Sequence, residues 1–591
     1  MKTSLFAAMV VATSTAALSQ ENLKPSHLVY MNPFLVQKYQ QQAIDEGYVP
    51  PQIPAAVKEE AKFSYIAKHF DEFKYSPGVE RLKQEISQKY ALQKVQETAG
   101  TAPAFYATLS ESEFRELTES PEVVTIYSID QKNDSFVFSL TNDYSSQGEI
   151  IPWAKQQVLA DDNISSSVNF YIIDGYFNNA SSGSEINLVY TNGGGDPGNF
   201  SITPGGDPHA SSVLSIAAAQ RNWSKIRGIN PEQPVVHYGI TLGLQQIHDS
   251  LTTISSMAEW ASQFSTLNFS INIRPPVDTQ QPYTNIFGHT ENIGRAMRRA
   301  SGRLMIAQSA GNYDMDACGV AFGYGNTAGS NDGILVVSGT DNYDQRYQQT
   351  PNPSPYYYTE KRANFGHCVE TWAPGRSMTT TTGNGSIITA TGTSFAAPVV
   401  AALAGRYGNA TTRPIEREAY IKEAADWTGH YDGSSFNLPI YRAKYSPPYW
   451  HNIPKRLPVT GVYSISITTN LNKLVDEKFY DGIDWNAGGG WGSIVIDLGS
   501  AKNLTGVRVM IRSSANGGTL NFAVHGGNTI NVTAPGVATI PNNPIAYQGS
   551  NDQFDLVPYY IPISGNYRYV MLEASNAASW LSYSEVEVYG R

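Results

Sequence analysis

The chain of 591 residues is predicted to fold as three units in series: a small α+β domain, a three-layer α/β domain with a mainly parallel sheet, and an all-β jelly-roll sandwich. Three observations predict this. Charged helical text such as "ERLKQEISQKYALQKVQ" is concentrated between residues 20 and 142. From about 143 to 445, short apolar runs without polar alternation ("VNFYIID", "RLMIAQSAGN", "GILVVSG") recur between small-residue helices, the pattern of strands covered on both faces. Beyond 462 the strands alternate and no helical period survives ("GSIVIDLG", "GVRVMIR", "EVEVYG"). A single hydrophobic core does not serve a chain of this length.

Residues 1–19 read as an address. Lys2 precedes the apolar stretch "LFAAMVVATSTAAL", and "ALS" (17–19) offers small residues for cleavage, the pattern of a secretory signal peptide. The expected destination is extracellular, with the vacuole as the alternative. No later segment has transmembrane length, and "EVEVYGR" lacks the tail of a lipid anchor. Ten Asn-x-Ser/Thr sequons fit the secretory route, at Asn133, Asn163, Asn179, Asn199, Asn222, Asn268, Asn384, Asn409, Asn503 and Asn531, and only some are expected to carry glycan. Cys318 and Cys368 permit one disulfide in an oxidising compartment or, alternatively, two buried thiols. The net charge of −11, without a Lys/Arg-dense stripe, argues against a nucleic acid or an anionic membrane as partner.

Within 20–142, "AFYATLSESEFRELTESPEVVTIYSID" parses as strand, helix, strand, with Ser110 and Glu113 at capping-box spacing. Residues 143–445 form the α/β domain. The proline-rich stretch 446–461 reads as a linker, and 462–591 as the sandwich.

The α/β unit holds the most informative text. "TGTSFAAPVVAALAG" (391–405) is small and uncharged from Ser394 onward, so a helix buried on all sides is predicted. Its first turn would carry free backbone N–H groups and a partial positive charge. Pro398 cannot bond the carbonyl of Ser394, and Gly392 lets the chain approach closely just before it. That arrangement suits a nucleophile beside half of an oxyanion hole; a core helix with an incidental serine is the alternative. A nucleophilic serine needs a base and an orienting carboxylate. His209 opens another small-residue helix after a Gly/Pro loop, whereas His237, inside "PVVHYGI", reads as a core histidine. Asp174 ends the strand "VNFYIID", at the carboxyl edge where sites form in open α/β sheets. Asn312, in "IAQSAGN", follows another apolar strand and offers an oxyanion donor.

In the order Asp174, His209, Asn312 and Ser394, these residues resemble the subtilisin-like serine peptidases, of the proteinase K and cerevisin type. "TGTSFAAP" matches the nucleophile motif of that family, "SAGN" its oxyanion motif, and "ANFGHCVETWAPG" (363–375) its segment before the serine. The resemblance implies a serine endopeptidase with Ser394 as nucleophile, His209 as base and then acid, Asp174 as orienter and Asn312 at the oxyanion. It also implies a substrate cleft lined by Ser270, Ile271 and Asn272 on one side and Ser309, Ala310 and Gly311 on the other. Polypeptides would be the substrates, and the enzyme is expected to be a monomer. No cofactor is required for the chemistry and no metal ligands are named, although a structural calcium ion would be in keeping with the family. The two cysteines sit where some fungal members have them.

Three motifs depart from the family pattern: Asp174-Gly175-Tyr176, His209-Ala210-Ser211-Ser212 and Ser270-Ile271-Asn272. The last places a side chain in space usually left to substrate. Residues 104–130 resemble the inhibitor-type propeptide of the same family, which implies that the chain's own N-terminal unit blocks the cleft until it is cleaved off between about 130 and 152. The segments 479–511 and 582–590 resemble discoidin-type, galactose-binding-like modules, which implies a glycan ligand at Trp485, Trp491 or Trp580; these tryptophans could equally fill the sandwich core. The rival reading is a catalytically silent scaffold serving as a glycan- or surface-binding protein. The presence of all four site residues favours the enzyme.

Overall fold

The computed structural model describes residues 25–58, 61–92, 94–98, 103–128, 140–141, 150–160, 168–175, 185–191, 208–222, 225–231, 233–240, 243–272, 284–322, 331–348, 362–381, 387–447, 451–465, 470–477, 485–486, 491–513, 520–541, 544–550, 557–576 and 581–591. The signal segment 1–19 lies outside the described residues, as do 129–139 and 142–149, which hold most of the expected cleavage window.

The N-terminal unit is a four-stranded antiparallel sheet in the order Gln96–Glu97, Ala104–Ala107, His27–Met31, Val123–Ser128. The helices Pro33–Asp45, Pro77–Lys89 and Glu111–Thr118 accompany it. The expected strand-helix-strand is present, and its helix starts where local chemistry dictates. Ser110 accepts from the Glu113 N–H, and the Glu113 carboxylate accepts from the Ser110 N–H, so two orphan donors are satisfied reciprocally.

The central unit is built on a nine-stranded sheet in the order Asp426–Tyr431, Pro439–Arg442, Thr371–Pro374, Ile334–Thr340, Leu304–Ser309, Ser265–Phe269, Phe170–Asp174, Val235–Gly239, Leu188–Thr191. All neighbours are parallel except the edge pair Asp426–Tyr431 and Pro439–Arg442. One face is covered by the helices Pro208–Ala218 and Thr393–Gly405, whose small side chains share a core with Phe170, Met305 and Leu335. The other face is covered by Leu244–Trp260 and Thr284–Ala300, with Leu251, Ile254 and Met297 against Leu267 and Ile306. Apolar contacts on both faces explain why these strands lack polar alternation.

Beyond it, a strand-rich unit is organised around the 23-residue strand Trp491–Ser513, which pairs antiparallel with Val557–Asn576 and Leu581–Gly590. Register shifts at Asp497/Lys502 and Leu504/Gly506 break its pairing with Val557–Asn576. Its core is aliphatic and aromatic, with Ile494, Val507, Phe522, Leu572 and Tyr583 buried. Within the stretch 446–461, Lys455–Arg456 pairs with Gly590 and Tyr589, so this part of the chain is a strand of the C-terminal sheet.

Candidate active site

Three neighbouring parallel strands and two helices converge at the carboxyl edge of the central sheet. Asp174 is the last residue of Phe170–Asp174 and is fully buried. Its Oδ1 accepts the Gly175 N–H at 2.7 Å, and its Oδ1 and Oδ2 lie 2.8 and 3.1 Å from His209 Nδ1. A carboxylate is acceptor-only, so Nδ1 is the donor in this pair and Nε2 is the ring nitrogen turned away from Asp174. His209 is the second residue of Pro208–Ala218 and only 1% exposed. Its ring centroid stands 5.4 Å from that of Phe395, the residue after Ser394.

Ser394 is the second residue of Thr393–Gly405, a helix buried along its whole length with Pro398 inside it. The serine faces the end of the strand Ser265–Phe269. Its Oγ donates to the Ser270 carbonyl at 3.4 Å, and the Ser270 hydroxyl donates to the Ser394 carbonyl at 2.7 Å. These reciprocal contacts fix the first helical turn against the strand end.

Asn312 follows Leu304–Ser309 across a backbone that only glycine adopts readily. Gly311 has φ +98°, and a β-carbon there would stand 2.6 Å from Asn364 Nδ2. Asn364 braces this turn. Its Nδ2 donates to the Ala310 carbonyl at 2.8 Å, while its Oδ1 accepts the Tyr313 and Met315 N–H groups. The Asn312 carboxamide is held as firmly: its Oδ1 accepts the Thr393 N–H at 2.8 Å, the Thr393 hydroxyl at 3.0 Å and the Tyr347 hydroxyl. A backbone N–H can only donate, so the oxygen must face Thr393 and the Nδ2 group the other way. A β-carbon on Gly392 would lie 3.4 Å from that Nδ2.

The residues expected to line a cleft flank this centre. Ser270, Ile271, Ser309 and Ala310 are fully buried or nearly so, and Ile271 belongs to the apolar core under Leu244–Trp260. Asn272 is 9% exposed, and its Nδ2 donates to Ser309 Oγ at 2.5 Å, so side chains bridge the two strand ends beside the serine. Sequence reasoning missed Tyr347, Asn364 and Thr393 as supports. Thr393 lies inside the quoted motif, but Tyr347 and Asn364 arrive from distant segments without a pattern of their own.

The two cysteines are joined. Cys318 and Cys368 form a disulfide with Cα atoms 5.2 Å apart, closing a 50-residue span that includes the Asn364 segment. His237 is fully buried, its ring nitrogens on Thr191 Oγ1 and the Gly175 carbonyl, and burial pushes its pKa down. Among the described residues, no group of three or more His, Cys, Asp or Glu side chains converges as a metal-binding cluster. Also among them, no helix is long and apolar enough to cross a membrane. The sequon at Asn268 is fully buried in a central strand, Nδ2 on Ser270 Oγ, and has no room for a glycan, whereas Asn409, Asn503 and Asn531 are exposed.

Residues 159–428 match the model of the subtilase family. That stretch is similar to the subtilases. The match stops before the C-terminal sheet and begins after the N-terminal one. Three solved structures are similar to the chain. One is a cold adapted subtilisin-like serine proteinase, at 18% identity and TM-score 0.36, covering 50% of this chain and 98% of the other. Another is a psychrophilic protease, at 16% and 0.37, covering 52% and 100%. A third is the epidermin leader peptide processing serine protease of Staphylococcus aureus, at 16% and 0.39, covering 55% and 85%. No curated protein matches the chain.

Proposed function

We propose that the subtilase domain is a serine endopeptidase, secreted as a zymogen and freed by removal of its own N-terminal unit. The observation that carries this reading is the placement of His209, its Nδ1 2.8 Å from buried Asp174 and its ring beside the Ser394 helix.

In the reaction, Ser394 Oγ bonds to the scissile carbonyl carbon as its proton passes to His209 Nε2. Asp174 stabilises the imidazolium that forms. The carbonyl oxygen, now an anion, receives hydrogen bonds from Asn312 Nδ2 and the Ser394 N–H, donors already oriented before the charge develops. Collapse of the intermediate breaks the C–N bond, and His209 returns the proton to the leaving amine. Water then attacks the acyl-enzyme through the same groups, releasing the carboxylic acid and restoring the serine.

The position of the N-terminal unit supports the zymogen reading. It rests on Leu244–Trp260, with the Tyr30 hydroxyl 2.7 Å from His248 Nε2. Farther along the chain, Leu140–Thr141 pairs with Thr389 and Ala390, a few residues before Ser394. This pairing brings residues 140–141, inside the expected cleavage window, to the strand that precedes the Ser394 helix. For the C-terminal unit, glycan binding finds support in Trp491, which is 47% exposed; the side chain of Trp485 and all of Trp580 lie outside the described residues.

The experiment is secretion of wild type and Ser394→Ala side by side, with the mass and N-terminus of each product determined. Wild type is expected to lose roughly 120 residues after the signal. The variant is expected to keep them and to lose peptidase activity by at least about four orders of magnitude. Identical processing of both would overturn autocatalysis.

A further inference from the structure

Tyr347 reaches the site from 35 residues beyond Asn312, and the fold builds a seat for it. After the strand Ile334–Thr340 the chain reverses over Asp341, whose carboxylate accepts the Tyr343 and Gln345 N–H groups at 2.9 and 3.1 Å. Thr340 then bridges Arg346 antiparallel, and the Tyr347 N–H bonds the Gly339 carbonyl. This reversal lays the ring back across the strand end. At Gly339 a β-carbon would stand 2.2 Å from Tyr347 Cε1, and at Gly375 it would stand 3.3 Å away. Two glycines on neighbouring segments therefore form the trough in which the ring lies, fully buried beside Ala363 and Trp372. The hydroxyl at its tip donates to Asn312 Oδ1.

We propose that Tyr347 is a positioning residue for the oxyanion amide, an inference that rests on the peptidase reading above. The terminal torsion of an asparagine is broad and nearly two-fold, so its amide is not held by its own rotamer. Three donors from two directions, the N–H and O–H of Thr393 and the O–H of Tyr347, hold Oδ1 and thereby aim Nδ2. The same hydrogen bonds polarise the amide, making its N–H a stronger donor in a buried setting. Tyr347 acts through Asn312 and does not itself touch the substrate.

The test is steady-state hydrolysis of a peptide p-nitroanilide by the mature enzyme. Tyr347→Phe keeps the ring in its trough and removes only the hydroxyl. It is expected to lower kcat about threefold to tenfold, the range for one net hydrogen bond, with KM within about twofold. Asn312→Ala is expected to cost roughly 100- to 1000-fold in kcat, and in that background Tyr347→Phe should change kcat less than about twofold. A peptide aldehyde, whose hemiacetal oxygen would sit at Asn312, should lose affinity for Tyr347→Phe by the same factor as kcat. An unchanged kcat, an equal loss with and without Asn312, or a Tyr347→Phe protein that does not fold would leave the tyrosine a structural role alone and overturn the proposal. A wild-type enzyme that leaves the substrate intact would overturn the peptidase reading and this inference together, a result distinct from failure at Tyr347.

Discussion

The central unit carries one unit on each side of its sequence, and the two contacts are made of different materials. The N-terminal unit meets Leu244–Trp260 through tyrosine hydroxyls, one of them on the partly exposed Asp249 carboxylate, and through apolar surface. Tyr30 and Tyr106 place their hydroxyls 2.7 and 3.1 Å from the two nitrogens of His248, and Tyr106 also donates to Asp249 at 2.8 Å. Phe73 lies edge-on to Trp260 with centroids 5.2 Å apart, and Ile66 joins the core beside Ile247 and Leu251.

The C-terminal unit is held by charges taken out of water. Arg413, at the start of Pro414–Ala424, lies over the Phe264 ring at 4.2 Å and pairs with Glu587 at 3.1 Å and Glu477 at 2.6 Å. Arg508, 1% exposed, stands 3.7 Å from Glu587 and reaches Ser301 of the central unit at 3.4 Å. Ile415 packs with Tyr560 and Tyr589, and Phe264 with Met510.

The difference bears on the proposal that the N-terminal unit is released. Hydroxyl-bearing and apolar groups return to water without stranding a buried charge, since the carboxylate that Tyr106 meets, Asp249, is already partly exposed. A buried ion pair is poor evidence for net stability, yet removing one partner leaves the other uncompensated in a low-dielectric site. The first contact suits a unit that is released, and the second a unit that stays.

The largest test of this contrast is Glu587→Ala. It strips the shared partner from Arg413, Arg508 and Arg456 and is expected to cost about 3–5 kcal/mol, read as a lower denaturant midpoint for the mature protein. A change below about 1 kcal/mol would mean that the buried charges do not hold the unit. A smaller effect is expected across the N-terminal contact. Tyr106→Phe removes the hydroxyl shared by His248 and Asp249 and should weaken the inhibition proposed for the N-terminal unit by about 0.5–1.5 kcal/mol, several-fold in inhibition constant. Inhibition unchanged, with the ring still in place, would show that apolar contact alone carries this interface.

The subtlest effect is a pH slope. Burial, with the neighbouring Glu587 charge adding to it, pushes the Glu585 carboxyl well above the usual carboxylate range. For Glu587, burial pushes upward, but Arg413, Arg508 and Arg456 outweigh it and hold the group below its usual value. The signs are opposite. The contribution of Glu587 is present above the unfolded carboxylate pKa, about 4.3, and is lost as pH falls through its folded value. That of Glu585 is present below about 4.3 and is lost as pH rises toward its folded value. Glu585→Gln should therefore gain stability relative to wild type between pH 4 and 7, while Glu587→Gln should lose it over the same rise from acid. Melting temperatures at several pH values check both, and parallel curves for the two variants would refute the assignment.

How much was legible depended on range. The Ser110/Glu113 cap is a three-residue matter, and it stands as read. The strand ending at Asp174 and the buried helix at Ser394 were likewise legible, because periodicity and small side chains report burial locally. The stretch 446–461 reads as a linker from its prolines, yet Lys455–Arg456 completes a sheet whose partner strand ends the chain. A sequon at Asn268 looks like any other until the strand around it is found in the middle of the sheet.

By itself, then, the sequence determined the elements and the residue types of the candidate site, since backbone capping, strand burial and a glycine approach are set by neighbours a few residues away. Only the tertiary structure decided that Tyr347 and Thr393 would share the oxygen of Asn312, that Cys318 would find Cys368, and that Arg413 would meet Glu587 across 174 residues. Those contacts join segments with no common periodicity. Their geometry exists only once the sheet has fixed where each strand ends and the loops have closed over it.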